Sequence, residues 1–220
     1  MGRKSDAKEK LLDVAFDLIW QQSYGSVSVD QICDRASVKK GSFYHFFRSK
    51  CDLAVAAYER HWQRNQPHYD RIFSPLVPPL DRLRDYCRIV YDCQRAEFAR
   101  SGRVLGCPFA SVGCEVSTQN DDLRRKANEM FLRMCQYLEN ALRDAFKEGL
   151  IESQDFSQLA RAIFSLTIGM LLQAKVKNDP ESLKELEPQV FTLLRTKPAV
   201  VTPRRFLPIT TSPSAVAHRI

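Results

Sequence analysis

Several chemical signatures are missing from this sequence, and each absence narrows what the chain can do. The seven cysteines form no C-x-x-C pair and are odd in number, so neither a disulfide framework nor an ordinary zinc site is expected. No glycine-rich phosphate loop, paired catalytic carboxylates or Ser-His-Asp order stands out, and this gives no enzyme signature. No apolar run reads as long enough to cross a bilayer, and the N-terminus lacks the apolar core of a signal peptide. Asp6 stands where a myristoylation site needs Ser or Thr. The expectation is a cytoplasmic protein with reduced thiols, no cofactor, no metal and no membrane partner.

What is present fits a globular protein of 220 residues, with 44% hydrophobic and 27% charged residues and a formal net charge of +7. Acid is also missing locally. From Arg35 to Lys50 the chain carries five basic residues (Arg35, Lys39, Lys40, Arg48 and Lys50) and no Asp or Glu. At helical spacing Phe43, Phe46 and Phe47 share an apolar face, while Ser42, Tyr44 and His45 point elsewhere. A short helix with polar aromatics outward and cations at both ends suits a groove lined by phosphates.

Upstream, Leu12, Ala15, Phe16 and Ile19 recur at i, i+3, i+4, i+7, the pattern of an amphipathic helix, with Gly25 expected to close it. Ser28-Val29-Asp30-Gln31 reads as a capping box. A short helix with Ile32 and Ala36 inward, a turn at Ala36-Ser37-Val38 and the basic helix complete a helix-turn-helix plan.

These residues also carry a resemblance. Tyr24-Gly25, Ser28 to Ile32 and above all Ala36 to Lys50, with its Lys-Gly-Ser-Phe-Tyr-His-Phe-Phe-x-Ser-Lys core, resemble the DNA-binding domain of TetR-family regulators. The resemblance implies an all-α protein: a three-helix helix-turn-helix domain over residues 1–50, then a helical ligand-sensing and dimerisation domain over 51–196. It implies a homodimer on a near-palindromic double-stranded DNA operator, most often a repressor released by an inducer. Carried over by position, Lys39, Lys40 and Ser42 are candidates for base edges or nearby phosphates. Tyr44 and His45 are candidates for phosphate or a thymine methyl, and Lys50 and Ser28 for phosphate. Cys33 and Cys51 stand where the family more often has Ala and Glu.

Beyond the head, Ser49 is placed to cap a helix running from Lys50 towards Trp62. Gln66-Pro67 and Ser74 to Pro79 are expected to interrupt the pattern and mark the passage between domains. Helices are expected over Leu80–Phe98, Asp122–Glu148 and Phe156–Lys177. The last is apolar nearly all round and so needs a second partner surface. Asp179-Pro180 starts a further helix that Pro188 is expected to kink or split. Residues 197–220, with four prolines and basic residues but no acid, read as a disordered basic tail.

For sensing, Cys107 stands out, because it follows Gly106 and precedes Pro108 at a helix start. There the helix dipole is expected to lower its pKa and raise its thiolate fraction, as in an electrophile- or oxidant-responsive cysteine. The regulatory half resembles a TetR subgroup with a Gly-Cys segment here, some of whose members answer such reagents. Lys175 is the candidate cationic neighbour. Cys87, Cys93, Cys114 and Cys135 are expected to pack. The alternative is a reversible small-molecule cavity lined by Tyr86, Tyr91, Phe98, Phe109, Phe131, Met134 and Phe164. From another class comes the rival reading of a helical thiol enzyme or carrier, pairing Cys107 with His61 or His68.

Overall fold

In the computed structural model the described residues are 2–152 and 154–194, and they contain α-helices, one 3-10 turn and no ladder of paired strands. The disordered tail expected over 197–220 lies outside them.

Helix α1 (Gly2–Gln21) buries Leu11, Leu12, Ala15, Phe16, Ile19 and Trp20. It stops four residues before Gly25, whose expected role as helix terminator is therefore not the one it plays. Ser28 and Gln31 form the capping box of α2 (Val29–Ala36), with the Gln31 N–H donating to Ser28 Oγ at 3.1 Å and the Ser28 N–H to Gln31 Oε1 at 2.7 Å. Ser37 turns the chain in the left-handed region (φ 55°), and α3 (Lys40–Phe46) follows, anchored by buried Phe43 and Phe47.

Helix α4 (Lys50–Ile72), capped by Ser49, runs through Pro67 without a break. The interruption expected at Gln66-Pro67 is absent, whereas the one expected from Ser74 is there, between the end of this helix at Ile72 and the next helix at Pro79. Packing of Trp62, Tyr69 and Ile72 into the core offsets the hydrogen bond lost at the proline. Helices α5 (Pro79–Ser101), α6 (Pro108–Val116) and α7 (Asp121–Lys147) follow, then α8 (Phe156–Lys177), capped by Asp155. Asp179 caps a 3-10 turn, Pro180–Glu185, that leads into α9 (Leu186–Leu193). Pro188 is the third residue of α9, where a backbone N–H has no intrahelical partner anyway. Of the expected kink or split, the segment shows a split, a change from 3-10 to α just before Pro188.

Two cores result. One joins α1 to α3 and the start of α4 with Leu105, Val112, Val116 and Leu123, so the head is packed onto the rest. The other is built on Trp62, Leu83, Tyr86, Met130, Leu138, Leu142, Ile163 and Val190. Helix α8 buries Leu159, Ile163, Thr167 and Leu171 but leaves Leu172 and Val176 exposed, as α7 leaves Leu132. Contrary to the reading of the sequence, α8 is long and apolar enough for a bilayer span, with a mean hydropathy of 1.4 over its most apolar window. One side of it is the wall of the second core; the other is left uncovered among the described residues.

Candidate DNA-binding surface and effector cavity

On the head, Lys39, Lys40, Tyr44 and His45 are exposed and Ser42 is half-buried, all within or just before α3. Lys40 is not free of acid as the local sequence implied: its Nζ lies 2.7 Å from Asp30 of α2. The side-chain hydrogen bond raises the ammonium's pKa. Ser28 is exposed, its Oγ already accepting the capping bond. Lys50 turns inward. Its Nζ donates to the carbonyls of Tyr24 at 2.8 Å and Val27 at 2.9 Å and stands 4.2 Å from the Tyr24 ring centroid. Burial lowers its pKa. Two of its three N–H donors thus tie the loop before α2, which leaves one for any phosphate.

The head is joined to the regulatory helices by polar contacts as well as by its core. The Glu115 carboxylate of α6 accepts from the N–H groups of Tyr24 (2.8 Å) and Gly25 (2.6 Å). Trp20 Nε1 donates to the carbonyl of Gly106 at 3.1 Å, and Gln94 brackets the same residue, its Nε2 donating to the carbonyl and its Oε1 accepting the N–H. Cys51 Sγ donates to Asn120 Oδ1 at 3.3 Å, where Asn120 caps α7.

A cavity of about 420 Å³ opens between α4, α5, α7, α8 and the start of α6. This is the size of a small-molecule site. Phe109, Phe131, Met134, Tyr86 and Phe164 line it, as the sequence suggested. Tyr91 does not: its hydroxyl donates to Glu181 at 3.0 Å, under the Lys184 ammonium. Phe98 packs instead with Val104, Leu171 and Ala174. Trp20 of α1 and a run along α4 (Trp62, Arg64, Asn65, Tyr69 and Arg71) were missed, and His61 and His68 beside them were named only as partners for Cys107 in the rival reading. The signal was there: these positions recur at helical spacing, but only for a helix that continues past Pro67.

Cys107 caps α6, with Sγ 3.5 Å from the Ala110 nitrogen, and also lines the cavity. The expected depression of its pKa is overturned. Burial pushes the thiol up to about 11, against the opposing pull of the Ala110 and Phe109 backbone amides. Cys93, in the same wall, is pushed by burial to about 12. Lys175 is exposed and stands outside the cavity wall. Its stem crosses Gly106, whose Cβ, if added, would lie 3.3 Å from Lys175 Cδ, and its Nζ is 3.4 Å from Ser111 Oγ. Cys114, expected to pack, is exposed.

His61 and His68 do share the cavity with Cys107. His61 is stacked on Phe16 with ring centroids 3.8 Å apart, and burial, aided by Arg64, holds its pKa at about 3. A neutral imidazole beside a protonated thiol is the reverse of an activated Cys–His pair. Among the described residues no cluster of three or more His, Cys, Asp or Glu could hold a metal ion.

Comparison with known proteins agrees with this architecture. The chain is 29% identical over 199 residues to the HTH-type transcriptional repressor NemR of Escherichia coli K12, covering 89% of this chain and 96% of that protein. It is 31% identical to the transcriptional regulator AcuR of Cereibacter sphaeroides, over 80% of each chain. The crystal structure of the reduced form of E. coli NemR superposes with a TM-score of 0.76 at 27% identity, covering 89% of this chain and 100% of that one. A TetR regulatory protein from Rhodobacter sphaeroides gives 0.76 at 28% identity, over 85% and 98%. Residues 11–57 match the profile of bacterial regulatory proteins of the tetR family, and residues 79–190 that of the tetracyclin repressor-like C-terminal domain. With both halves matched and a helix-turn-helix head on the helical regulatory domain, the chain belongs to the TetR family of DNA-binding transcriptional regulators and is not an enzyme.

Proposed function

We propose that the protein is a bacterial, cytoplasmic repressor that binds a palindromic operator as a homodimer and leaves it when a small molecule fills the cavity. The observation that carries this reading is the position of Trp20: it lines the cavity while belonging to the head, and its indole is bonded to Gly106 beside Cys107. An occupant at that wall acts on both parts of the chain, which is what coupling between two sites requires. The exposed Leu132, Leu172 and Val176 support pairing of α7 and α8 with a second copy. The working division keeps residues 1–50 as the DNA-binding domain and 51–196 as the sensing and dimerisation domain. Ser28, Lys39, Lys40, Ser42, Tyr44 and His45 form the DNA-facing set, with Lys50 supporting it from inside.

A second reading, release by modification of the Cys107 thiol, is favoured by its place in the cavity wall and by the likeness to a repressor solved in a reduced form. Affinity for the promoter region of its own gene, with and without hypochlorite or N-ethylmaleimide, in wild type and Cys107→Ser, separates the two. Release in wild type that Cys107→Ser resists supports the thiol switch. Equal DNA binding by both proteins under all treatments supports reversible occupancy, and no specific DNA binding rejects both.

A further inference from the structure

The cavity carries charge of one sign. No Asp or Glu lines it, whereas two guanidinium groups, Arg64 and Arg71, do. Arg64 is already answered by Asp13, 2.6 Å away. Arg71 meets no carboxylate within ion-pair distance among the described residues. Its Nη2 donates instead to Nδ1 of His68 at 2.8 Å. A guanidinium only donates, so Nδ1 is the acceptor and His68 is the neutral tautomer with its proton on Nε2. Burial and the Arg71 charge both lower the pKa of His68, against Asp85, which raises it. Asp85 is itself bound by Arg88 at 2.5 Å. The net result is one oriented cation at the cavity mouth with donors to spare.

The walls are aromatic: Trp62, Tyr69, Tyr86, Phe109, Phe131 and Phe164. Such walls favour a flat ring system by stacked and edge contacts. A cationic ligand would enter against Arg71, and a neutral one would leave its charge unanswered. We infer that the occupant is a flat aromatic carboxylate, its ring system held between these walls and its carboxylate bound by Arg71. A planar fork of donors pairs bidentately with the two oxygens of a carboxylate, which lies in the plane of its ring. The inference rests on the cavity being the effector site, as proposed above, and names what that site selects.

The test is calorimetric titration of the full-length protein with 2-naphthoate and its neutral counterpart 2-naphthamide. Wild type is expected to bind naphthoate about tenfold or more tightly than the amide. Arg71→Gln, an exposed substitution, should erase that preference by weakening naphthoate much more than the amide, while Arg71→Lys keeps part of it. Equal affinity of wild type for the two probes, or equal losses for both in Arg71→Gln, overturns the carboxylate assignment and leaves the cavity as the site. Binding of neither probe overturns the assignment and the cavity reading together.

Discussion

The carboxylate of Glu115 and the backbone of Gly25, 90 residues apart in the chain, meet at 2.6 Å, and the neighbouring Tyr24 N–H shares the same carboxylate. The loop that sets the position of α2 is thereby fixed by α6, whose other end is a wall of the cavity. Glu115→Ala should lower stability by about 1–2 kcal/mol, since both bonds are charge-assisted but partly solvated. Urea melts measure the loss. The same variant should show a weaker response of DNA affinity to any effector; an unchanged response would mean that coupling runs elsewhere.

Gly106 and Gly102 form a matched pair. Both sit in the left-handed region, at φ +73° and +70°, but only Gly106 faces close neighbours, at 3.3 Å from Lys175 Cδ. Gly102→Ala should cost about 1 kcal/mol from backbone conformation alone. Gly106→Ala should cost about 2–3 kcal/mol, because crowding adds to the same strain. Equal losses in denaturant melts would remove the packing role.

Thiol labelling should follow accessibility rather than helix position. Peptide mapping after brief N-ethylmaleimide treatment at pH 7 is expected to find Cys114 modified first, with Cys87, Cys93 and Cys107 lagging. The Cys107 rate should climb by about tenfold per pH unit above neutrality and level off near pH 11, where burial has moved its pKa. Early labelling of Cys107 at pH 7 would contradict this.

His61 gives a signature in acid. Its folded pKa of about 3 lies below the ordinary 6.5, so the unfolded chain binds the extra proton first. Its contribution is present above pH 6.5 and drains away as pH falls towards 3. Thermal melts across that window should decline less steeply for His61→Gln than for wild type.

Lys39 and Lys50 should separate on DNA. Lys39→Ala is expected to reduce the salt dependence of operator affinity by about one counterion with no change in melting. Lys50→Ala should lower melting temperature as well, because its ammonium holds the carbonyls of Tyr24 and Val27. A purely electrostatic effect of Lys50→Ala would return it to the DNA-facing set.

The head was legible because its information is local. The Ser28–Gln31 box, the turn at Ser37 and the spacing of Phe43 and Phe47 each specify structure within a few residues. The aromatic stripe of α7 and α8 was legible in the same way, and Phe131, Met134 and Phe164 reach the cavity. What local chemistry could not reveal was how tertiary packing overrides it. Pro67 reads as a break until Trp62 and Ile72 are seen buried on either side. Cys107 reads as a lowered thiol until desolvation is weighed against the helix dipole. Tyr91 shares a stripe with cavity residues, and only the turn at Pro180–Glu185 draws it away.

The continuity of α4 makes angle and distance interchangeable. Its 23 residues span about 35 Å; one end follows directly on α3 and the other carries His68 and Arg71. A tilt of about 5° about the cavity end displaces the far end by about 3 Å, close to one base-pair step along a duplex. A rigid rod of this length needs no large rearrangement at its pivot: on the proposed reading, a misfit the size of one ring in the cavity would be enough to put a head out of register with its groove.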